Sequence, residues 1–192
     1  MEKKKIILAS GSPRRKELLL QIGITPEIMV SHVEEKITSD VPSEVVMSLA
    51  KQKAVDVAKE REKGDIILGS DTVVAVDGKI LGKPKNHKEA EEMIQKLAGR
   101  SHQVYTGVCI VKKGEKDEIL TFFDETDIKV AKMTEKEILE YAGSEEPMDK
   151  AGAYAVQGFF ARYIEGLNGS YANVMGLPVH LVYQKLKELG AV

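Results

Sequence analysis

The sequence predicts an α/β protein: a long mixed sheet with flanking helices, arranged as two lobes around a cleft. Three observations predict it. Apolar runs of strand length alternate with segments of helical period along most of the chain. The runs His102–Lys112 and Glu118–Val130 are long enough to cross a sheet side by side, joined by a turn near Gly114. Asp77-Gly78, between two short apolar runs, inserts a hairpin, so the sheet is not purely parallel.

Taken in order, Lys5–Ala9 reads as a buried strand. Ser12-Pro13 opens a helix to about Ile22, with Ser12 as N-cap, Pro13 in the first turn and Gly23 closing it. Pro26–Val30 is a second strand, and His32–Val41 is a polar loop. Ser43–Lys63 is a long helix with Gly64 past its end. Ile66–Gly69 is a short buried strand, and Thr72–Val76 and Lys79–Leu81 flank the hairpin turn. Asn86 caps a helix running to Ala98, with Ala90, Met93, Ile94 and Leu97 on one face and Gly99 after it. Thr134 with Glu137 forms a capping box for a helix ending at Gly143. Tyr154–Ile164 contains further strand, and Pro178–Leu189 is the last helix.

Bulk properties limit the function classes. The chain of 192 residues is 43% hydrophobic and 30% charged. Chains of this length bury roughly 70% of their unfolded surface. It is read as one domain over residues 1–192. Lys and Arg total 28 against 30 Asp and Glu, a net charge of −2, so general attraction to nucleic acid or an anionic membrane is not expected. No apolar stretch approaches the ~20 residues of a membrane span. The basic start precedes too short an apolar run for a signal peptide. The single cysteine, Cys109, in the apolar run Val108–Val111, cannot form an intrachain disulfide. It reads as a packing residue in a reducing, cytoplasmic compartment.

Several constellations carry chemistry. Ala9-Ser10-Gly11-Ser12-Pro13-Arg14-Arg15 leads from a strand through small residues into a helix, where backbone N–H groups, two hydroxyls and two guanidinium groups can receive an anion. Arginine beside a helix N-terminus is unfavourable unless an anion arrives, although exposed arginines on an ordinary capped helix are the plainer reading. Lys53 falls in the middle of the apolar stripe Val46, Leu49, Ala50, Ala54, Val57, whereas Lys51 faces away. It must snorkel out, pair with a carboxylate or reach into a cleft. In Gly69-Ser70-Asp71-Thr72 an acid lies where one buried run ends and the next begins. Such a carboxylate is paired, metal-bound or catalytic, or else it bonds its own turn. Lys83, between Gly82 and Pro84, sits on a rigid loop; Glu34-Glu35 is either a cation-binding pair or solvated. Met148-Asp149-Lys150-Ala151-Gly152-Ala153-Tyr154, with Gln157 beyond, mixes charge and small residues in apolar surroundings. Walker A, dinucleotide-binding and zinc patterns are absent, and the 4 histidines have no metal spacing.

These residues resemble a known family. A-S-G-S-P-R-R-K-E-L-L, K-Q-K-A, G-S-D-T-V-V, L-G-K-P, and M-D-K-A-G-A-Y followed by Q-G are similar, in order and spacing, to the Maf-like nucleoside triphosphate pyrophosphatases over nearly the whole chain. The resemblance implies the two-lobed fold shared with inosine triphosphate pyrophosphatases and hydrolysis between the α- and β-phosphates. It also implies a divalent metal (Mg²⁺ or Mn²⁺) and a homodimer. It implies Asp71 as the catalytic acid-base or metal ligand, Ser10, Arg15, Lys53 and Lys83 on phosphate, and Glu34 near the metal. Arg14, Thr72 and Gln157 match the branch acting on dTTP and UTP. Its 7-methyl-GTP counterpart tends to have an aromatic, a Gln and a Glu there. One departure is Ala155, where many relatives have Gly. The expected activity is therefore cleavage of dTTP and UTP, with CTP and modified pyrimidine nucleotides as further candidates. The rivals are a purine-directed pyrophosphatase and a nucleotide-binding regulator of cell division with little turnover.

Overall fold

The computed structural model describes residues 5–192; the basic start at residues 1–4 lies outside them. Seven strands form one sheet: β1 (Ile6–Leu8), β2 (Glu27–Ile28), β3 (Ile66–Val76), β4 (Lys79–Leu81), β5 (Ser101–Lys112), β6 (Glu118–Val130) and β7 (Ile164–Asn168). Their order is β2-β1-β3-β5-β6-β7, with β4 paired to β3. The pairings β1–β2 and β1–β3 are parallel and the others antiparallel, so the sheet is mixed as expected. Among the described residues six α-helices accompany it: α1 (Pro13–Gln21), α2 (Pro42–Ala58), α3 (His87–Leu97), α4 (Glu135–Ala142), α5 (Tyr171–Val174) and α6 (Val179–Glu188).

Strand alternation sorts the core. One face of β3 and β5 carries Leu68, Val108 and Ile110, which pack with Leu18 and Leu19 of α1 and Val182 and Leu186 of α6. Further along the same face, Val74, Val76 and Val104 pack with α3, α4 and the aromatic residues Tyr154 and Phe160. Two helical lobes therefore share one face of one sheet, and a cleft opens between them. The opposite face belongs to α2, whose Ala50, Ala54 and Val57 pack on Ile67, Cys109 and Val111.

Two glycines set the height of α2 above the sheet. A Cβ at Gly69 would lie 2.2 Å from the Ala50 carbonyl oxygen, and one at Gly107 would lie 2.3 Å from the Val46 carbonyl. Glycine inside a strand weakens it in isolation, but here it admits a helix backbone at contact distance.

Several sequence expectations are met in detail. Asp77 (φ 51) and Gly78 (φ 72) are both left-handed, as a two-residue type I′ hairpin requires. Asn86 Oδ1 accepts from Glu89 N at 2.9 Å, and Thr134 and Glu137 form the reciprocal capping box. Other expectations are corrected. Asp71 does not sit between two strands: β3 runs unbroken through it. The long second helix stops at Ala58 rather than Lys63. Beyond Ala58 no residue faces the core, and Arg61 is drawn away to Glu27 (2.7 and 3.0 Å) and Asp65 (3.0 Å). Ser12 stands at the N-cap without a side-chain capping bond. The second strand contracts to Glu27–Ile28. Residues 154–163 form a turn and then a 3-10 helix (Phe159–Tyr163) rather than strand, because Glu146 accepts from Phe159 N (2.7 Å) and Phe160 N (3.2 Å), replacing a strand partner. The strand follows, at Ile164–Asn168.

If α2 rests on these glycines, Gly69→Ala should destabilise the protein by about 1–3 kcal/mol through overpacking. Gly166→Ala, where a Cβ meets nothing within 4 Å, should be nearly neutral. Urea unfolding of both variants checks this, and equal stabilities would contradict the close seating of α2.

Candidate active site

The strand pairing creates the site. One edge of β3 pairs with β5 throughout. Its other edge pairs with β1 over Ile66–Leu68 and with β4 over Val74–Val76. Between those stretches the edge of β3 has no strand partner, and Asp71 and Thr72 lie there, one from each face of the sheet. A cleft of about 300 Å³ opens at this place. Arg14, Arg15, Lys53, Lys83 and Lys150 line it together with Asp71, Thr72 and Asp149, and Val74, Val104, Tyr154 and Val174 form its apolar end.

The seating of α2 brings Lys53 down to Asp71. Lys53 Nζ lies 2.6 Å from Asp71 Oδ1 and 3.0 Å from Glu35 Oε1. The Lys53 and Asp71 side chains are 16% and 14% exposed, so the pair is largely desolvated. Lys53 therefore reaches into the cleft and pairs with a carboxylate, rather than snorkelling away. Glu35 rides on a loop pinned to α2, where Lys36 N donates to Gln52 Oε1 at 2.9 Å and Gln52 Nε2 donates back to Lys36 O at 2.8 Å.

Arg15 forms a second clamp. Its Nε donates to Gly176 O (2.8 Å), and its two terminal nitrogens donate to Ser10 Oγ (3.1 Å) and Thr72 Oγ1 (3.1 Å). Burial lowers its pKa, opposed by the Asp71 carboxylate, yet a guanidinium stays charged in any protein setting. The unfavourable position at the start of α1 is thus relieved for Arg15 by three protein oxygens. Arg14 and Lys83, by contrast, have no hydrogen bond or ion pair among the described residues, so their charges remain available. Lys150 pairs with Asp149 and holds that carboxyl below its ordinary range.

Thr72 belongs to a directed chain. Thr106 Oγ1 donates to Asn173 O (2.8 Å), so the Thr72 hydroxyl donates to Thr106 (2.9 Å) and accepts from Arg15. The donor of Thr72 is already committed.

Most of the candidate residues converge. Asp71, Thr72, Arg14, Arg15, Lys53 and Lys83 line one cleft, and Ser10 touches Arg15 from below. Glu34 and Gln157 do not join them: neither lines the cleft, although Gln157 follows Val156, which does. It is Glu35 that reaches Lys53. Sequence reasoning missed Gly176 and the buried Asn173, and it named Glu35 only as half of the Glu34-Glu35 pair. Nothing local marks Gly176, since its partner Arg15 is 161 residues away; the Glu34-Glu35 doublet held the right residue, but not which of the two turns inward. No group of three or more His, Cys, Asp or Glu side chains able to hold a metal exists among the described residues.

The Maf-like protein family model matches residues 5–189. A dTTP/UTP pyrophosphatase of Lachnoclostridium phytofermentans is 50% identical over 187 residues, covering 96% of this chain and 95% of its own. A dTTP/UTP pyrophosphatase of Bacillus cereus is 50% identical over 186 residues, covering 96% and 90%. The Staphylococcus aureus Ham1 protein is similar in fold, with a TM-score of 0.54 at 15% identity, over 96% of this chain and 99% of that one.

Gly176 tests the clamp. Its φ is +109°, and a Cβ there would lie 3.3 Å from Arg15 Nε. Gly176→Ala should displace Arg15 and weaken inorganic pyrophosphate binding by about tenfold, equivalent to ~1.4 kcal/mol. Calorimetric titration measures this, and unchanged affinity would remove the Arg15–Gly176 contact from anion binding.

Proposed function

We propose that this chain, which belongs to the Maf-like protein family, hydrolyses dTTP and UTP to the monophosphate and pyrophosphate. One observation carries the reading: five cationic side chains, Arg14, Arg15, Lys53, Lys83 and Lys150, line the same cleft as Asp71, and Val74, Val104 and Tyr154 give that cleft an apolar side. A polyphosphate needs the cations and a base needs the apolar walls. The relatives named above supply the substrate class.

In the proposed reaction, water attacks the α-phosphorus, a new P–O bond forms, and the bond to the bridging oxygen of the β-phosphate breaks. Charge grows on the leaving pyrophosphate, and Arg14, Arg15 and Lys83, which line the cleft, stabilise it in this reading. Asp71 accepts the proton of the attacking water or, in the other role open to it, holds a metal. Lys53 fixes the orientation of Asp71 through their 2.6 Å contact.

The donors also suit a divalent cation that arrives with its substrate. Asp71 and Glu35 both lie within hydrogen-bonding reach of one Lys53 nitrogen, so their oxygens face a common space. One or two carboxylates with phosphate oxygens and water are what Mg²⁺ uses, and no self-sufficient protein cage is needed. Bound there, the ion would neutralise charge on the phosphates. This reading assigns the inward acid to Glu35, in place of Glu34. It also includes a homodimer and a reducing, cytoplasmic compartment. Buried Cys109 is compatible with such a compartment, and no described helix is long and apolar enough to cross a membrane.

Pyrophosphate release from a panel of triphosphates tests the proposal. dTTP and UTP should be cleaved best, 7-methyl-GTP and inosine triphosphate at least about tenfold less efficiently, because a mismatched base leaves buried donors unpaired. Preference for either purine would overturn the substrate assignment, and no turnover of any would favour the regulator reading. Excess chelator should abolish activity; full turnover in its presence would remove the metal.

Replacing Asp71 with Asn should lower kcat by at least about 10²-fold while triphosphate binding persists. A near-native rate in Asp71→Asn would exclude the carboxylate from the chemistry.

A further inference from the structure

A fully buried titratable group near the cleft, His102, is one the proposed reaction does not use. His102 lies on β5 two residues before Val104, which lines the cleft, and is completely buried. Its Nε2 is 2.6 Å from Tyr154 Oη, and the two rings meet edge to face with centroids 5.3 Å apart. Among the described residues Nδ1 has no hydrogen-bond partner. Burial pushes the His102 pKa down to about 4, with Asp127 only partly opposing, so the ring is neutral at neutral pH. A buried imidazole with one hydrogen bond, set among aromatic and aliphatic side chains, is costly compared with leucine. Its one partner, Tyr154, lines the apolar end of the cleft.

Tyr154 needs holding. It ends a turn in which Gly152 (φ 68) and Ala153 (φ 61) are both left-handed. Ala153 is a non-glycine residue in that region, and such strain persists only where the surroundings over-determine it. The start of the turn is pinned by Gly152 N donating to Gly82 O at 3.0 Å, and a Cβ at Gly152 would lie 2.8 Å from Val74 Cγ1. At its end, the Tyr154 ring packs at a tilt of 41° against Phe160 with centroids 4.9 Å apart, and its hydroxyl has His102 as its partner. Apolar ring contacts are not directional at the phenol oxygen, whereas a hydrogen bond fixes it.

We infer that His102 is a positioning residue that holds Tyr154 as the wall against which the nucleoside end of the substrate packs, away from the phosphate groups. The inference rests on the proposed pyrophosphatase reading. It assigns the phosphates to the side of the cleft lined by Arg14, Arg15 and Lys53, and the nucleoside to the side lined by Val74, Val104 and Tyr154.

The test separates the two ends. Native protein, His102→Leu, His102→Gln, Tyr154→Phe and the Leu/Phe double variant are assayed with dTTP, and inorganic pyrophosphate is titrated as a competitive inhibitor. His102→Leu should raise KM for dTTP about fivefold, ~1 kcal/mol, with kcat within about twofold and the pyrophosphate inhibition constant unchanged. Tyr154→Phe should match it, and the double variant should be no worse than either alone, because one hydrogen bond is lost in each case. His102→Gln, which keeps a side-chain hydrogen-bonding group, should recover most of the loss. Unchanged KM in both single variants, or pyrophosphate inhibition weakened in parallel with dTTP, would overturn the inference. Should His102→Leu fold poorly, Tyr154→Phe against His102→Gln carries the same comparison. Absence of dTTP turnover in the native protein would instead reject the pyrophosphatase reading itself.

Discussion

The contact between α2 and the glycine-floored sheet is the constraint on which the site depends. Residues Gly69, Asp71 and Gly107 share one face of the β3–β5 pair, where Asp71 and Gly107 stand directly opposite each other. Because Gly69, before Asp71 on that face, and Gly107, across from it, carry no side chain, the backbone of α2 descends to the sheet. Lys53 lies one helical turn beyond Leu49 and Ala50, and at that height its ammonium meets the Asp71 carboxylate at 2.6 Å. A larger residue at 69 or 107 would raise the helix and part them. Partly buried charges repay desolvation only with such close geometry, so the glycines are also electrostatic devices.

The sheet's layout does the rest. A continuous β3 that changes partner from β1 to β4 leaves a short open edge, and side chains from both faces can meet there. On one face of the sheet the α1–α6 lobe delivers Arg15, and the segment after α5 delivers the Gly176 carbonyl that anchors it. The opposite lobe contributes the turn carrying Asp149, Lys150 and Tyr154. Both lobes are packed on the same strands, so the cleft between them has a rigid floor. Preorganised charges of this kind cost little rearrangement when a polyphosphate arrives.

How much of this was legible in the sequence follows from the range of each interaction. The hairpin at Asp77-Gly78, the cap at Asn86 and the box at Thr134–Glu137 are local, and each was readable from a few adjacent residues. Lys53 was readable because an apolar helical stripe makes a lysine conspicuous. The end of α2 was not, because Lys59–Lys63 suits a helix until Arg61 finds Glu27 and Asp65. Nor was the course of Tyr154–Ile164, whose apolar content resembles a strand but whose backbone bonds to Glu146. Within the site, the charged residues announced themselves, while the neutral parts did not: Gly176, Asn173 and the Tyr154–His102 pair act through partners distant in the chain. Ser70-Asp71 looked like a junction because Gly69 and Ser70 interrupt the apolar run, whereas the glycine is there to admit a helix.

The central claim is that Lys53 and Asp71 work as one unit because α2 is pressed against the sheet. A double-mutant cycle on kcat/KM for dTTP with Lys53→Met, Asp71→Asn and both together tests it most directly. If the two act as a unit, the double variant should lose no more than the worse single variant, within about twofold. Losses that multiply in the double variant would show two independent roles and contradict the account.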